Sequence, residues 1–309
     1  MFARPGLPSF DYVRAGTPDE VVRVLQEHGD AARLLMGGTD LFPGLRDGVY
    51  RPRVVVDVKH LPGMREILYD EGTGLTVGAA VTMNELARHP EVRAHYPLLA
   101  QAAQAVASYQ IRNRATIGGN LCNASPCADT SPATLVLEAE FVLYGPGPST
   151  SYVRSVSGRS RERSVPAGEF FVGPGQTVLR PGEFMTAIRF PPPPSACAGR
   201  YLKLGRCRSG DLSLVGVAVL GFHNGVASGY GFRVGLGSVG PTPLRAAEAE
   251  AFLAGSPPCE ETFVQAAEKA MAAASPITDV RGTAGYQKAM VRTLTLRGLR
   301  EVWAQLPKV

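Results

Sequence analysis

Apolar and polar residues change period several times along the chain, and each change marks an element. Phe10–Arg14 reads as a short strand. Thr17–Pro18–Asp19–Glu20 opens a helix, with Thr17 as cap, Pro18 in its first position and Glu20 completing a capping box. Val21, Val22 and Leu25 form its apolar face, and Gly29 ends it. Arg33–Met36 predicts a strand, Leu45–Gly48 the end of a short helix, and the near-continuous apolar run Val54–Val58 a buried strand. These elements make a small α/β lobe over about residues 1–59.

A second lobe is predicted over about residues 60–193. Leu75–Ala79 is a strand, Thr82–Glu85 a capping box and Tyr96–Ala107 a helix. Ala133–Ala139 predicts a helix, Phe141–Tyr144 a strand, Gly168–Gly175 a loop and Glu183–Phe190 a strand. The turn-rich Gly145–Ser149 and the basic run Arg154–Arg163 read as a surface turn and a solvated hairpin or loop. Pro191–Pro194 suits neither a sheet nor a helix interior and reads as a linker, which sets the domain boundary. Beyond it, residues 194–309 give three strands, Tyr201–Leu204, Leu212–Phe222 and Tyr230–Val239, with a turn signal at Asn224–Gly225. Three helices follow: Thr242–Ala254, Thr262–Ala274 and Thr283–Leu306, the last with Ala289, Leu296, Leu299 and Trp303 on its inner face. The fold class is α+β.

Composition narrows the function. The 309 residues are 45% hydrophobic and 19% charged, as in ordinary globular chains. The net charge of +5 comes from scattered arginines, without a basic helix or aromatic–basic alternation, so nucleic acid is not the expected partner. Five cysteines without framework spacing argue against a disulfide scaffold, and the lack of a CxxC pair argues against a metal centre. No stretch approaches a membrane span and no leader pattern opens the chain, so the expected location is the cytoplasm.

Candidate chemistry lies in two glycine loops. Met36–Leu41 follows the strand-like run Ala31–Leu35 and carries Gly37–Gly38 before Thr39 and Asp40. Ala115–Asp129 carries Gly118–Gly119 and then short polar residues, and Thr130–Ser131–Pro132 starts a helix behind it. Paired glycines permit positive φ and close backbone approach, and consecutive amides form a nest for phosphate. Thr116, Asn120, Ser125 and Asp129 add side chains for phosphate or ribose. Either loop alone is equally an ordinary turn; two converging on one elongated, phosphate-bearing ligand are more telling.

Together these residues resemble a known family. Gly37–Gly38–Thr39–Asp40, Arg112–Asn120, Ala124–Asp129, Tyr201–Leu202–Lys203 with Arg206, Arg208 and Asp211, and Asp279–Val280–Arg281 follow the pattern of the flavin-binding medium subunit of molybdenum hydroxylases. That family includes the medium subunit of carbon monoxide dehydrogenase, nicotinate dehydrogenase and the flavin segment of xanthine dehydrogenase. The resemblance spans nearly the whole chain; Tyr286–Gln287 departs from the family's Tyr-Arg. It implies a two-lobed FAD-binding domain of the vanillyl-alcohol-oxidase or PCMH type and an α+β C-terminal domain with a three-stranded antiparallel sheet and helices.

The resemblance also implies roles. Leu35, Met36, Gly37, Gly38, Thr39, Asp40 and Leu41, with Thr116, Ile117, Gly118, Gly119 and Asn120, would cradle the FAD pyrophosphate. Ser125 and Asp129 would share that wall, with Asp129 toward the ribose or adenine. Phe184 or Met185 would pack near the isoalloxazine, and Lys203 would reach the flavin. Some relatives carry an iron–sulfur cluster beside the glycine loop; Cys122 and Cys127 are too few for one and read as packing residues. The implied function is an electron-transfer oxidoreductase subunit. Electrons come from an iron–sulfur small subunit, supplied in turn by a molybdopterin large subunit, and leave to an external acceptor. No catalytic acid or base is expected, because the flavin carries the redox chemistry. The alternatives are a free-standing FAD oxidoreductase and a structural subunit that has lost FAD.

Overall fold

A computed structural model describes residues 6–146, 161–207, 209–224 and 228–307. The anticipated turn Gly145–Ser149, the basic run Arg154–Arg163 and the Asn224–Gly225 turn fall partly outside these residues, and motif residue Arg208 falls wholly outside.

The first lobe is a three-stranded parallel sheet. Val54–Asp57 lies between Asp11–Arg14 and Ala32–Leu35, and all four of its residues are buried, as its near-continuous apolar run predicts, with the Asp57 carboxylate bonded by Tyr12 and Lys59. Helix Pro18–His28 covers it with Val21, Val22 and Val24. Thr17 Oγ1 accepts from Glu20 N at 3.2 Å, but Glu20 Oε2 accepts from Gly16 N at 2.8 Å, so the reciprocal half of the expected capping box is displaced by one residue. Helix Leu41–Arg46 follows the first glycine loop.

The second lobe is a five-stranded antiparallel sheet in the order Ile67–Asp70, Gly74–Gly78, Phe184–Phe190, Glu140–Tyr144, Glu162–Pro166. Its last strand in sequence, Phe184–Phe190, lies at its centre. Two outer strands escaped the sequence reading, because an edge strand buries one face only and its apolar pattern is weak. Helices Met83–Arg88, Pro90–His95, Pro97–Ala105, Tyr109–Arg112, Ile117–Cys122 and Thr130–Val136 complete the lobe. Thr82 and Glu85 form the predicted capping box. The expected loop over Gly168–Gly175 is instead helix Ala167–Phe170 and a hairpin, Phe171–Gly173 with Gln176–Thr177.

The C-terminal part is an antiparallel sheet, Ala198–Leu204, Val215–His223, Tyr230–Gly237 and Leu244–Arg245. The first three strands match expectation. The two-residue fourth lies where Thr242–Pro243 was expected to open a helix, which starts instead at Ala247. Helices Ala247–Gly255, Glu260–Ala273 and Ala284–Gln305 pack on one face. The long helix buries Gln287, Val291, Leu294, Thr295, Gly298, Leu299 and Val302; of the residues expected on its inner face, Leu299 is in the core, Leu296 and Trp303 are half-buried against it, and Ala289 is exposed. Gln287, Thr295 and Gly298 share that face with the apolar residues, and hydrophobicity alone does not mark them.

The opposite face of this sheet docks on the second lobe. Tyr201, Ala218 and Leu220 bury in the N-terminal core, and a Cβ on Gly235 would stand 2.6 Å from Pro132 O of helix Thr130–Val136. The two parts therefore meet backbone to backbone beside the second glycine loop.

Candidate cofactor-binding site

A cleft of about 570 Å³ opens where the two lobes and the C-terminal sheet meet, a size usual for small-molecule sites. The first glycine loop enters it from the carboxyl end of parallel strand Ala32–Leu35, the end at which open α/β sheets bind ligands. Of the anticipated residues, Met36, Gly37, Gly38, Thr39, Asp40, Leu41, Thr116, Gly118, Gly119, Asn120, Ser125, Asp129, Phe184 and Met185 line the cleft. Leu35 and Ile117 are buried behind it, and Lys203 is set back from it. Phe184 and Met185 belong to the central strand of the second lobe.

The two glycine loops differ in the state of their amides. The N–H groups of Gly37, Gly38, Thr39 and Asp40 donate to no group among the described residues. Gly38 has φ +76°, and helix Leu41–Arg46 begins directly after. These four donors, on one short turn that lines the cleft, are unspent within the fold.

The second pair departs from expectation. Gly118 and Gly119 are not at positive φ; they lie inside helix Ile117–Cys122. Thr116 caps this helix by accepting from Gly119 N at 3.2 Å. Ile117 N donates to Val81 O at 3.0 Å, Gly118 N to Ala79 O at 2.9 Å and Asn120 N to Thr116 O at 3.0 Å. These amides are spent within the fold, so this stretch is no amide nest. Gly118 is there for close packing, since a Cβ would stand 2.6 Å from Ala79 Cβ and 2.7 Å from Ala79 O. Asn120 Oδ1 accepts from Thr130 Oγ1 at 2.6 Å, which leaves its –NH2 end as the donor on the cleft side.

Asp129 is 5% exposed. Its Oδ1 accepts from the Tyr201 hydroxyl at 2.8 Å and its Oδ2 from Lys203 Nζ at 2.8 Å. Burial pushes the Asp129 carboxyl up, and Lys203 and Tyr201 offset part of that. Burial, then the adjacent carboxylate, holds the Tyr201 phenol well above its ordinary range, so it stays a donor. Lys203 Nζ also donates to Ala105 O and Asp211 O, each at 2.9 Å. Its three protons are thereby taken inside the chain.

The sequence reading missed several walls. Arg33 and Tyr50 line one end, with the guanidinium 5.3 Å from the ring centroid. Val106, Ala107 and Ile111 line another, beside Gly210–Leu212 of the C-terminal part. Arg112 fixes that turn, donating to Val106 O at 2.8 Å, Ala107 O at 3.1 Å and Asn84 Oδ1 at 3.2 Å. Arg112 and Asn113 were visible as motif, but their structural work depends on contacts no local pattern shows. Arg281, held by Asp279, donates to Cys127 Sγ at 2.9 Å. Burial pushes the Cys122 thiol up to about 12, as suits a packing residue. Among the described residues, no three His, Cys, Asp or Glu side chains gather as metal ligands, and no helix is long and apolar enough to cross a membrane.

Comparison with known proteins agrees with this geometry. Residues 8–193 match the family described as FAD binding domain in molybdopterin dehydrogenase, and residues 200–302 match the CO dehydrogenase flavoprotein C-terminal domain. The chain is 35% identical to the carbon monoxide dehydrogenase medium chain of Hydrogenophaga pseudoflava, over 96% of this chain and 98% of that protein. It is 31% identical to the xanthine dehydrogenase FAD-binding subunit of Escherichia coli O157:H7, over 95% and 96%. A solved carbon monoxide dehydrogenase from Hydrogenophaga pseudoflava, lacking the Mo-pyranopterin moiety of its cofactor, superposes with a TM-score of 0.89 at 34% identity, covering 98% of this chain and 100% of that one. The chain therefore belongs to the FAD-binding subunits of the molybdenum hydroxylases, flavoproteins that serve electron transfer.

Proposed function

We propose that the cleft is the FAD site and that its two glycine loops divide the work. The free amides of Gly37, Gly38, Thr39 and Asp40 hold the pyrophosphate, and this observation carries the assignment. Charge-assisted bonds from preorganised N–H groups stabilise an anion without reorganisation. Thr116–Asn120 shape the facing wall by close packing and offer the Asn120 –NH2. Ser125, Phe184 and Met185 line the remainder. FAD supplies the redox chemistry when bound; these residues bind and orient it. Residues 1–193 form the FAD-binding domain and residues 194–309 the C-terminal domain.

By its likeness to the medium subunits of multi-subunit dehydrogenases, the chain takes electrons from an iron–sulfur partner, itself served by a molybdopterin subunit, and gives them to an external acceptor. The cytoplasm is the proposed location.

Binding of FAD, FMN and riboflavin to the apo chain tests the pyrophosphate assignment. FAD is expected to bind about 100-fold more tightly than riboflavin, since several charge-assisted bonds are at stake. Equal affinities would reject it. Isolation of the native chain with iron–sulfur and molybdopterin subunits supports the assembly, and a free-standing, active flavoprotein would overturn it.

A further inference from the structure

The chain crosses from the second lobe to the C-terminal part through Pro191–Pro194, directly after strand Phe184–Phe190. Four prolines fix φ and keep the run extended, but they do not fix where it points. Contacts at its two ends do. At its start, Tyr96 Oη donates to Pro191 O at 2.9 Å. Tyr96 is only 1% exposed, and its ring centroid lies 5.9 Å from that of Phe190. Gly74, at φ +88°, lies against the same stretch: a Cβ there would stand 2.1 Å from Phe190 O and 2.8 Å from Pro192 N. Past its end, Ala196 turns the chain at φ +49°, left-handed for a residue other than glycine, a conformation that persists only where its surroundings enforce it. The chain then enters strand Ala198–Leu204 against helix Pro97–Ala105. A Cβ on Gly199 would stand 2.9 Å from Leu98 Cβ, and Gln101 Oε1 accepts from Tyr201 N at 3.0 Å. Tyr96 caps the start of this same helix, so one helix holds the crossing at both ends.

We propose that Pro191–Pro194 is a strap and not a hinge: pinned by Tyr96 and Gly74 at its start and by Leu98 and Gln101 beyond its end, it holds the C-terminal part in one position against the second lobe, and the cleft between them is assembled before any ligand enters. Parts of a chain joined by a linker move relative to each other unless their interface is large and apolar. Here Tyr201, Ala218 and Leu220 carry the C-terminal sheet into the N-terminal core, and the strap removes the freedom left at the crossing. A cleft that needs no closing motion loses no binding free energy to the ordering of its walls. This holds whichever ligand fills the cleft.

The test is the distance between two spin labels on the full chain, one on Cys259 and one on Glu71→Cys, with the other four cysteines replaced by alanine. Cys259 and Glu71 are both exposed, the first on the C-terminal part and the second on the second lobe. One narrow distance distribution is expected in the free chain, unchanged when FAD is added. A broad or two-peaked distribution, or one that moves on addition of FAD, overturns the proposal. Hydrogen exchange isolates the strap itself. Tyr96→Phe removes the hydroxyl and keeps the ring, and amides over residues 195–204 are expected to exchange about fivefold faster, the factor for a net hydrogen bond of about 1 kcal/mol. Exchange there at the wild-type rate overturns the pinning by Tyr96. Should Tyr96→Phe fail to fold, the label distances in the chain that keeps Tyr96 decide alone.

Discussion

Gly37 faces Arg114 so closely that a Cβ on it would stand 2.2 Å from the Arg114 carbonyl oxygen. The contact joins the turn after strand Ala32–Leu35 to the turn that leads into helix Ile117–Cys122. Thr116 Oγ1, 3.9 Å from Met36 Sδ, lies at the same junction. The two glycine loops thus touch at this junction.

Gly37→Ala is therefore expected to spread the loops. Overpacking of a tight site costs about 1–3 kcal/mol, and the displaced amides weaken FAD binding. Thermal unfolding and FAD titration check this together. Wild-type affinity in Gly37→Ala would show that the loops need not touch.

The second glycine pair separates into two different cases. A Cβ on Gly118 meets the backbone of Ala79 at 2.7 Å, which cannot give way cheaply. A Cβ on Gly119 meets only Thr116 Oγ1, at 2.8 Å, so the contact is eased at the expense of the cap bond alone and not of backbone. Alanine in a helix also gains about 1 kcal/mol over glycine. Gly118→Ala is expected to lose about 1–3 kcal/mol of stability, and Gly119→Ala to change it by less than about 1 kcal/mol. Denaturant unfolding of the pair decides; equal losses would contradict the reading.

Asp57 gives the first lobe a defined acid sensitivity. Its side chain ends the central strand, accepting from Tyr12 Oη at 2.5 Å and from Lys59 Nζ at 2.6 Å. Burial alone would push this carboxyl up, but the bonds from Lys59 and Tyr12 hold it below its ordinary value. A carboxyl depressed in the folded state contributes stability above its unfolded pKa of about 3.9, and that contribution is lost as pH falls through the lower folded value. Between about pH 5 and pH 2 the wild type is expected to lose more melting temperature than Lys59→Met. Parallel loss in both would remove Asp57 from the account.

The cysteines are expected to differ in reactivity. Cys259 is exposed ahead of helix Glu260–Ala273, and its bond with Thr262 lowers its pKa. Cys122 lines the cleft with its pKa raised to about 12. Alkylation at neutral pH, mapped by mass spectrometry, is expected to label Cys259 well before Cys122. Early labelling of Cys122 would mean that the cleft opens freely.

Much of this protein was legible before its structure. Val54–Val58 announced a buried strand because a strand covered on both faces reads as a near-continuous apolar run. Thr82–Glu85 announced a helix start because a capping box closes within four residues. The glycine loops announced a site because small residues mark backbone that something must approach. Edge strands Ile67–Asp70 and Glu162–Pro166 were hidden, since one-sided burial leaves a faint pattern. The buried face of Ala284–Gln305 was read only in part: Leu299, Leu296 and Trp303 pack at the core, but Gly298, Thr295 and Gln287 pack by shape and not by hydrophobicity.

By itself the sequence determined the local elements, their order and the two loops, because caps, periodicity and turn chemistry act over a few residues. Only the tertiary structure decided which loop keeps free amides. Gly118 N is spent on Ala79 O, a partner from another segment, while Gly37–Asp40 meet no acceptor among the described residues. It also decided the work of Lys203, whose carboxylate partner Asp129 lies 74 positions away. A donor's availability depends on whatever the fold brings beside it, and no short-range pattern records that.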